Sequence, residues 1–194
     1  MANTQSSFGF KHIGYISGAG PDYQIATAPI LAAYSTKIYF GDPVIYSTAS
    51  QYIQPALGTG TLTAIAGIFQ GCVYTPTGGI PTWSPWWPGA SASDATAYIV
   101  NAPNAKFLAA ALLTAMPATA IGRNVGYSTG AGGTTVGGGF STYTVDQGTL
   151  TTTPNLGAFR VLGLYNGLGN GSDTTTSYNW VIVGFNTLST ATLA

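Results

Sequence analysis

The chain has 194 residues, of which 45% are hydrophobic and only 5% charged, against roughly 25% charged in an ordinary soluble domain. Five Lys and Arg balance five acidic residues, all of them Asp, and Lys11, Lys37, Lys106, Arg123 and Arg160 stand singly. That scatter excludes the basic clusters that contact with a nucleic-acid backbone requires, and with no net charge nothing repels a second copy. Disordered chains are poor in aromatics, whereas 12% of this one is aromatic, so the chain is expected to fold.

The first ten residues lack a basic start followed by an apolar run, so no secretory signal is expected and synthesis is assigned to the cytoplasm. The longest apolar stretch, 107–116, falls short of the roughly 20 residues that cross a bilayer. Runs rich in Ile, Val, Tyr, Phe and Thr predict strands at 12–16, 23–27, 37–39, 44–47, 64–74, 95–100 and 106–112. A second set is predicted at 123–128, 140–145, 158–165 and 178–185. Gly, Pro, Thr, Ser and Asn punctuate these runs at the spacing of barrels and sandwiches. Helix signals are nearly absent, because without Glu there are neither capping boxes nor Glu–Lys pairs along a helix face. Only 105–118, rich in Ala, leaves helix and strand in competition. The Gly-rich segment 128–139 and the polar segment 166–177 read as loops.

The expected fold class is therefore all-β, barrel-like or sandwich-like. The two sets of strands read as two related modules, 1–118 and 119–194, either separate or sharing one core. An internal echo supports the pairing. The run 64–71, followed later by 97–101, is matched by 159–167, followed later by 180–183. Each is an apolar strand with a central Gly, then a loop, then a second apolar strand.

Chemistry is thin. One His, one Cys and five Asp give no cluster with catalytic or metal-ligand spacing, so no enzyme activity, cofactor or metal is expected. His12 reads as a structural histidine, Cys72 as a small buried hydrophobe, and Asp42, Asp94 and Asp173 as turn residues bonding their own backbone. The glycines between Gly130 and Gly139 have no Lys after them, so they form no phosphate loop.

The densest feature is the run Thr82-Trp83-Ser84-Pro85-Trp86-Trp87-Pro88-Gly89. Its prolines fix the backbone, so the rings of Trp83, Trp86 and Trp87 are expected to be held in place. Three roles stay open for them: a small core under a long loop, an anchor into a partner protein, or a platform on which sugars stack.

Several of these segments together resemble a family. Phe40-Gly41-Asp42-Pro43-Val44, then Gly67-Ile68-Phe69-Gln70-Gly71-Cys72-Val73-Tyr74, Trp87-Pro88-Gly89 and the run 97–107 resemble head decoration (cement, or minor capsid) proteins of tailed bacteriophages, and 159–172 with 178–187 fit the same pattern. Asn101-Ala102 departs from the acidic pair usual before Pro103, and the Gly-rich insert is longer than expected. The resemblance implies a non-enzymatic β-rich protein on the outer surface of the phage head. It implies the major capsid protein as partner and a homo-oligomer, a trimer by analogy, with no nucleic-acid or membrane partner. The rival expectation is a carbohydrate-binding or adhesin-like module of a head fibre or tail.

Overall fold

A computed structural model describes residues 2–4, 7–18, 20, 25–47, 51–58, 63–89, 92–129 and 141–189. Of the expected Gly-rich loop at 128–139, Ser128 and Thr129 instead end the strand Asn124–Thr129, and 130–139 lie outside the described residues. The chain is all-β, as its composition requires. The first nine strands are β1 (Lys11–Tyr15), β2 (Ile25–Ile30), β3 (Ile38–Tyr39), β4 (Pro43–Tyr46), β5 (Ile53–Pro55), β6 (Gly67–Pro76), β7 (Thr82–Ser84), β8 (Trp86–Trp87) and β9 (Ala92–Val100). After them come β10 (Ala105–Ala110), a single 3-10 turn at Ala118–Ala120, β11 (Asn124–Thr129), β12 (Tyr143–Thr151), β13 (Phe159–Leu164) and β14 (Trp180–Phe185). Where Ala left helix and strand in competition, the strand β10 forms, because Phe107, Ala109 and Ala111 alternate into a core that a helix could not present to two neighbouring strands.

All strand pairs are antiparallel. The first sheet has the order β1-β10-β14-β13-β11-β12, the second β2-β9-β6-β4-β5 with β7 added to β6, and β3 and β8 form a two-stranded ribbon. Period-two alternation explains the layering. In β13 and β14, Phe159, Val161, Val181 and Val183 all face one core. In β6 and β9, successive residues face opposite ways: Ile68 and Val100 join that core, whereas Phe69 and Ile99 join another, which includes Ile38 and Trp87 of the ribbon. The second sheet is therefore buried on both sides, with the first sheet against one face and the ribbon against the other. An aromatic row ties the first core together. Phe10 stacks on Phe159 at 4.3 Å, and Phe185 lies 5.9 Å from Phe159 and 5.0 Å from Phe107.

The two large sheets repeat one topology. β2, β4, β5, β6 and β9 occupy the same order and direction in the second sheet as β10, β11, β12, β13 and β14 do in the first. The correspondence reaches single hydrogen bonds. Gly41 N–H donates to Phe69 O at 2.8 Å and Gly122 N–H to Val161 O at 2.8 Å. Phe69 N–H donates to Asp42 O and Val161 N–H to Arg123 O, both at 2.9 Å. Turns close the pattern, Asp42 N–H to Tyr39 O and Arg123 N–H to Ala120 O. Both β6 and β13 carry a bulge just before a glycine, Gly71 and Gly163. In sequence the match is Gly41-x-x-Val44-x-Tyr46-Ser47 against Gly122-x-x-Val125-x-Tyr127-Ser128. The repeats divide between β9 and β10, so β10 begins the second unit rather than ending the first. A boundary at 118/119 would cut the first sheet, which takes β1 and β10 from one side of it and β11 to β14 from the other.

The paired turns make a controlled comparison. Gly41 and Gly122 have φ of 88° and 85°, a left-handed conformation that a side chain resists. A Cβ at Gly122 would meet only an Arg160 guanidinium nitrogen at 4.0 Å, whereas at Gly41 it would lie 3.2 Å from Phe10 N and Phe8 O. Gly122→Ala should therefore cost about 1 kcal/mol, the conformational term alone. Gly41→Ala should cost measurably more in urea titration, because the backbone at 8–10 would also have to move.

Candidate functional site

The tryptophan run folds as a hairpin on β6 followed by a strand of the ribbon, and alternation sends its three rings into three environments. β7 pairs with the far half of β6, Trp83 opposite Val73. The connecting tip, 77–81, is exposed and is tightened by the Gly79 N–H bond to Pro76 O and the Thr82 hydroxyl bond to Ile80 O. Ile80 at the tip is 81% exposed and Trp83 61%. The Trp83 indole lies across Gly71, where an added Cβ would come within 3.2 Å of Cζ2, so a backbone without a side chain forms its seat. Pro85 then redirects the chain into β8, which pairs with β3.

Trp87 is fully buried in the second core. Its Nε1–H donates to Tyr34 O at 2.9 Å, and Tyr74 meets it edge to face at 5.7 Å. Trp86, half-buried, stacks parallel to Tyr39 at 6.3 Å with the Lys37 ammonium 5.6 Å from its ring centre. The three indoles therefore form no joint platform. Trp87 is core, Trp86 is packed at the edge of the ribbon, and Trp83 with Ile80 stands out as an apolar projection on a supported hairpin.

The other sequence-predicted residues sit as follows. His12, half-buried at a bulge in β1, approaches Gly14 O through Nε2 at 3.1 Å and packs against Tyr15 and Phe107. Cys72 is buried, and burial pushes its thiol up to about 12, which leaves it unreactive. Asp173 behaves as a turn residue, its Oδ1 accepting the Thr175 N–H at 2.9 Å and hydroxyl at 2.7 Å. Asp94 does not: it lies inside β9, because the ladder with β6 runs on through Ser93 and Ala92. The polar segment 166–177 receives the N-terminus. Asn3 donates to Asp173 O at 2.7 Å and accepts the Gly171 N–H at 3.0 Å, and Thr4 N–H donates to Asn170 Oδ1 at 2.7 Å.

Asp42 is a turn residue with an unusual environment that its sequence did not announce. It is 2% exposed, its Oδ2 accepts the Tyr39 N–H at 2.7 Å, and Oδ1 has no hydrogen-bond partner among the described residues. Burial outweighs the Tyr39 and Ser141 hydrogen bonds and pushes its carboxyl up to about 7.

Among the described residues no three of His, Cys, Asp or Glu gather as metal ligands, and no helix is long and apolar enough to cross a membrane. Comparison with protein-family models, curated proteins and solved structures found no match to this chain.

Proposed function

We propose that the chain is a structural protein of a tailed-bacteriophage virion, a decoration or cement protein that docks on the outer surface of the head and anchors itself there with Trp83 and Ile80. The observation that carries the reading is the exposure of these two apolar side chains on a hairpin whose base is held in a sheet buried on both faces. A rigidly seated Trp is the residue type that dominates binding energy at protein interfaces. The low charge of the chain suits a surface largely covered in an assembly, and the ordered resemblance of 40–44, 67–74, 87–89, 97–107, 159–172 and 178–187 to head decoration proteins suggests the partner, the major capsid protein. Function then follows from mass action: a protein that binds the assembled shell and not its dissociated subunits stabilises the shell, and symmetric copies, a trimer by analogy, gain from effective concentration.

The test is sedimentation of the purified protein with expanded, undecorated heads, followed by heating of the heads. Cosedimentation at stoichiometric copy number with a raised disruption temperature is expected. Absence of binding to heads, together with quenching of Trp fluorescence by free glycans, would replace the reading with a carbohydrate-binding module.

A further inference from the structure

The loop after β13 holds the only two Asn-Gly pairs of the sequence, Asn166-Gly167 and Asn170-Gly171. In such a pair the glycine nitrogen can reach the asparagine carboxamide, because a residue without a side chain leaves the approach open. Packing holds both positions to glycine. A Cβ at Gly167 would run into the Tyr165 hydroxyl, and one at Gly171 into the Trp180 ring.

The two asparagines differ. Asn170 Oδ1 accepts the Thr4 N–H at 2.7 Å and the Thr4 hydroxyl at 3.1 Å, and its Nδ2 donates to Thr4 O at 3.1 Å. Gly171 N–H donates to Asn3 Oδ1 at 3.0 Å. The Asn170 carboxamide therefore cannot swing toward its own glycine without giving up three bonds to the N-terminal segment, and the nitrogen it would meet is itself engaged. Asn166 is exposed, close to the 98% exposed Leu168. Neither its side chain nor Gly167 N–H makes a hydrogen bond among the described residues. One loop thus carries the same dipeptide once tied down and once free.

We propose that Asn166 is a site of spontaneous deamidation and that the N-terminal segment protects Asn170 from the same reaction. The Gly167 nitrogen gives up its proton to the solvent and attacks Asn166 Cγ. A C–N bond forms, the Cγ–Nδ2 bond breaks, and the amide nitrogen takes up a proton and leaves as ammonia. Water then opens the cyclic imide at one of its two carbonyls, which leaves aspartate or isoaspartate; water is the only co-reactant. Because the attacking nitrogen must first lose its proton, conversion quickens as pH rises. Each event adds one carboxylate to a chain whose formal net charge is zero, and isoaspartate also reroutes the backbone between β13 and β14 through the former side chain.

Incubation of the full chain in mildly alkaline buffer, with peptide mapping by mass spectrometry over time, tests the proposal. Conversion of Asn166 is expected to outpace that of Asn170 at least about tenfold, since Asn170 reacts only after several hydrogen bonds have opened. Asn166→Gln should remove most of the acidic form that accumulates on isoelectric focusing, and should leave the fold intact because the Asn166 side chain holds nothing in place. The double variant Asn3→Ala, Thr4→Pro takes the acceptor from Gly171 N–H and both donors from Asn170 Oδ1. It should raise the Asn170 rate about tenfold and leave the Asn166 rate as it was, the sign of local release rather than general unfolding. Absence of conversion at Asn166, equal rates at the two asparagines of the parent, or an Asn170 rate that the double variant does not change would each overturn the proposal.

Discussion

Asp42→Asn is expected to stabilise the protein at about pH 8 while leaving it nearly unchanged at about pH 4. The ordinary Asp value of 3.8 describes the unfolded chain, and the folded value is about 7, so the folded state holds this proton more tightly. Stability from Asp42 is therefore fully present below the unfolded value and declines as pH rises toward 7, beyond which the carboxylate is buried as an ion. At 1.36 kcal/mol per unit the ceiling of the effect is about 4 kcal/mol. Asparagine has nearly the shape of the protonated acid, still accepts the Tyr39 N–H, and cannot ionise. The thermal unfolding temperature of the variant at pH 8 should exceed that of the parent by several degrees, given roughly 2–4 °C per kcal/mol for a chain of this size. Parallel curves for the two proteins from acid to alkaline pH would show that the Asp42 carboxyl titrates as an ordinary one.

Trp87→Ala and Trp83→Ala should separate folding from binding. Trp87 is wholly buried and hydrogen-bonded through Nε1, so truncation leaves a large cavity in the core it shares with Phe69 and Ile99 and strips the Tyr34 carbonyl of its donor. A loss of about 3–5 kcal/mol is expected, read as a fall in the urea midpoint. Trp83 is mostly exposed, and its truncation should change stability by no more than about 0.5 kcal/mol. If it anchors the chain to heads, the same truncation should weaken cosedimentation about 30-fold, the scale of an interface hot spot. A Trp83→Ala protein that binds heads as the parent does would remove the hairpin from the contact.

Period and residue type made most of the strands legible, because Ile, Val, Tyr and Phe alternate where one face is buried. The three strands that sequence did not announce, β5, β7 and β8, are two or three residues long and lie beside or include Pro; β5 and β7 form against the longer β4 and β6, and β8 against the equally short β3. Trp83, Trp86 and Trp87 were visible as a cluster, but which ring is core depends on the ribbon register, Ile38 opposite Trp87, a nonlocal pairing. The repeat was legible in part. Its loose echo was aligned on Gly67 and Gly163, whereas the bulges equate Gly71 with Gly163, and the cleaner signal, Gly-x-x-Val-x-Tyr-Ser, lay outside the runs compared. Asp42 read as a turn residue and is one; its burial comes from Phe10 and Ser141, whose backbones bond to Gly41 and Phe40 from distant parts of the chain.

The duplication also sets the valence of the molecule. The connection from the fourth to the fifth strand differs between the two units. In the first unit it carries the exposed tryptophan hairpin, and in the second it is occupied by the chain's own N-terminus through Asn3 and Thr4. Two units of one topology thus present one hairpin, not two. If the hairpin anchors the chain to heads as proposed, a single polypeptide grips its partner once through it, and multivalent attachment by this route has to come from the number of chains assembled rather than from the repeat within each.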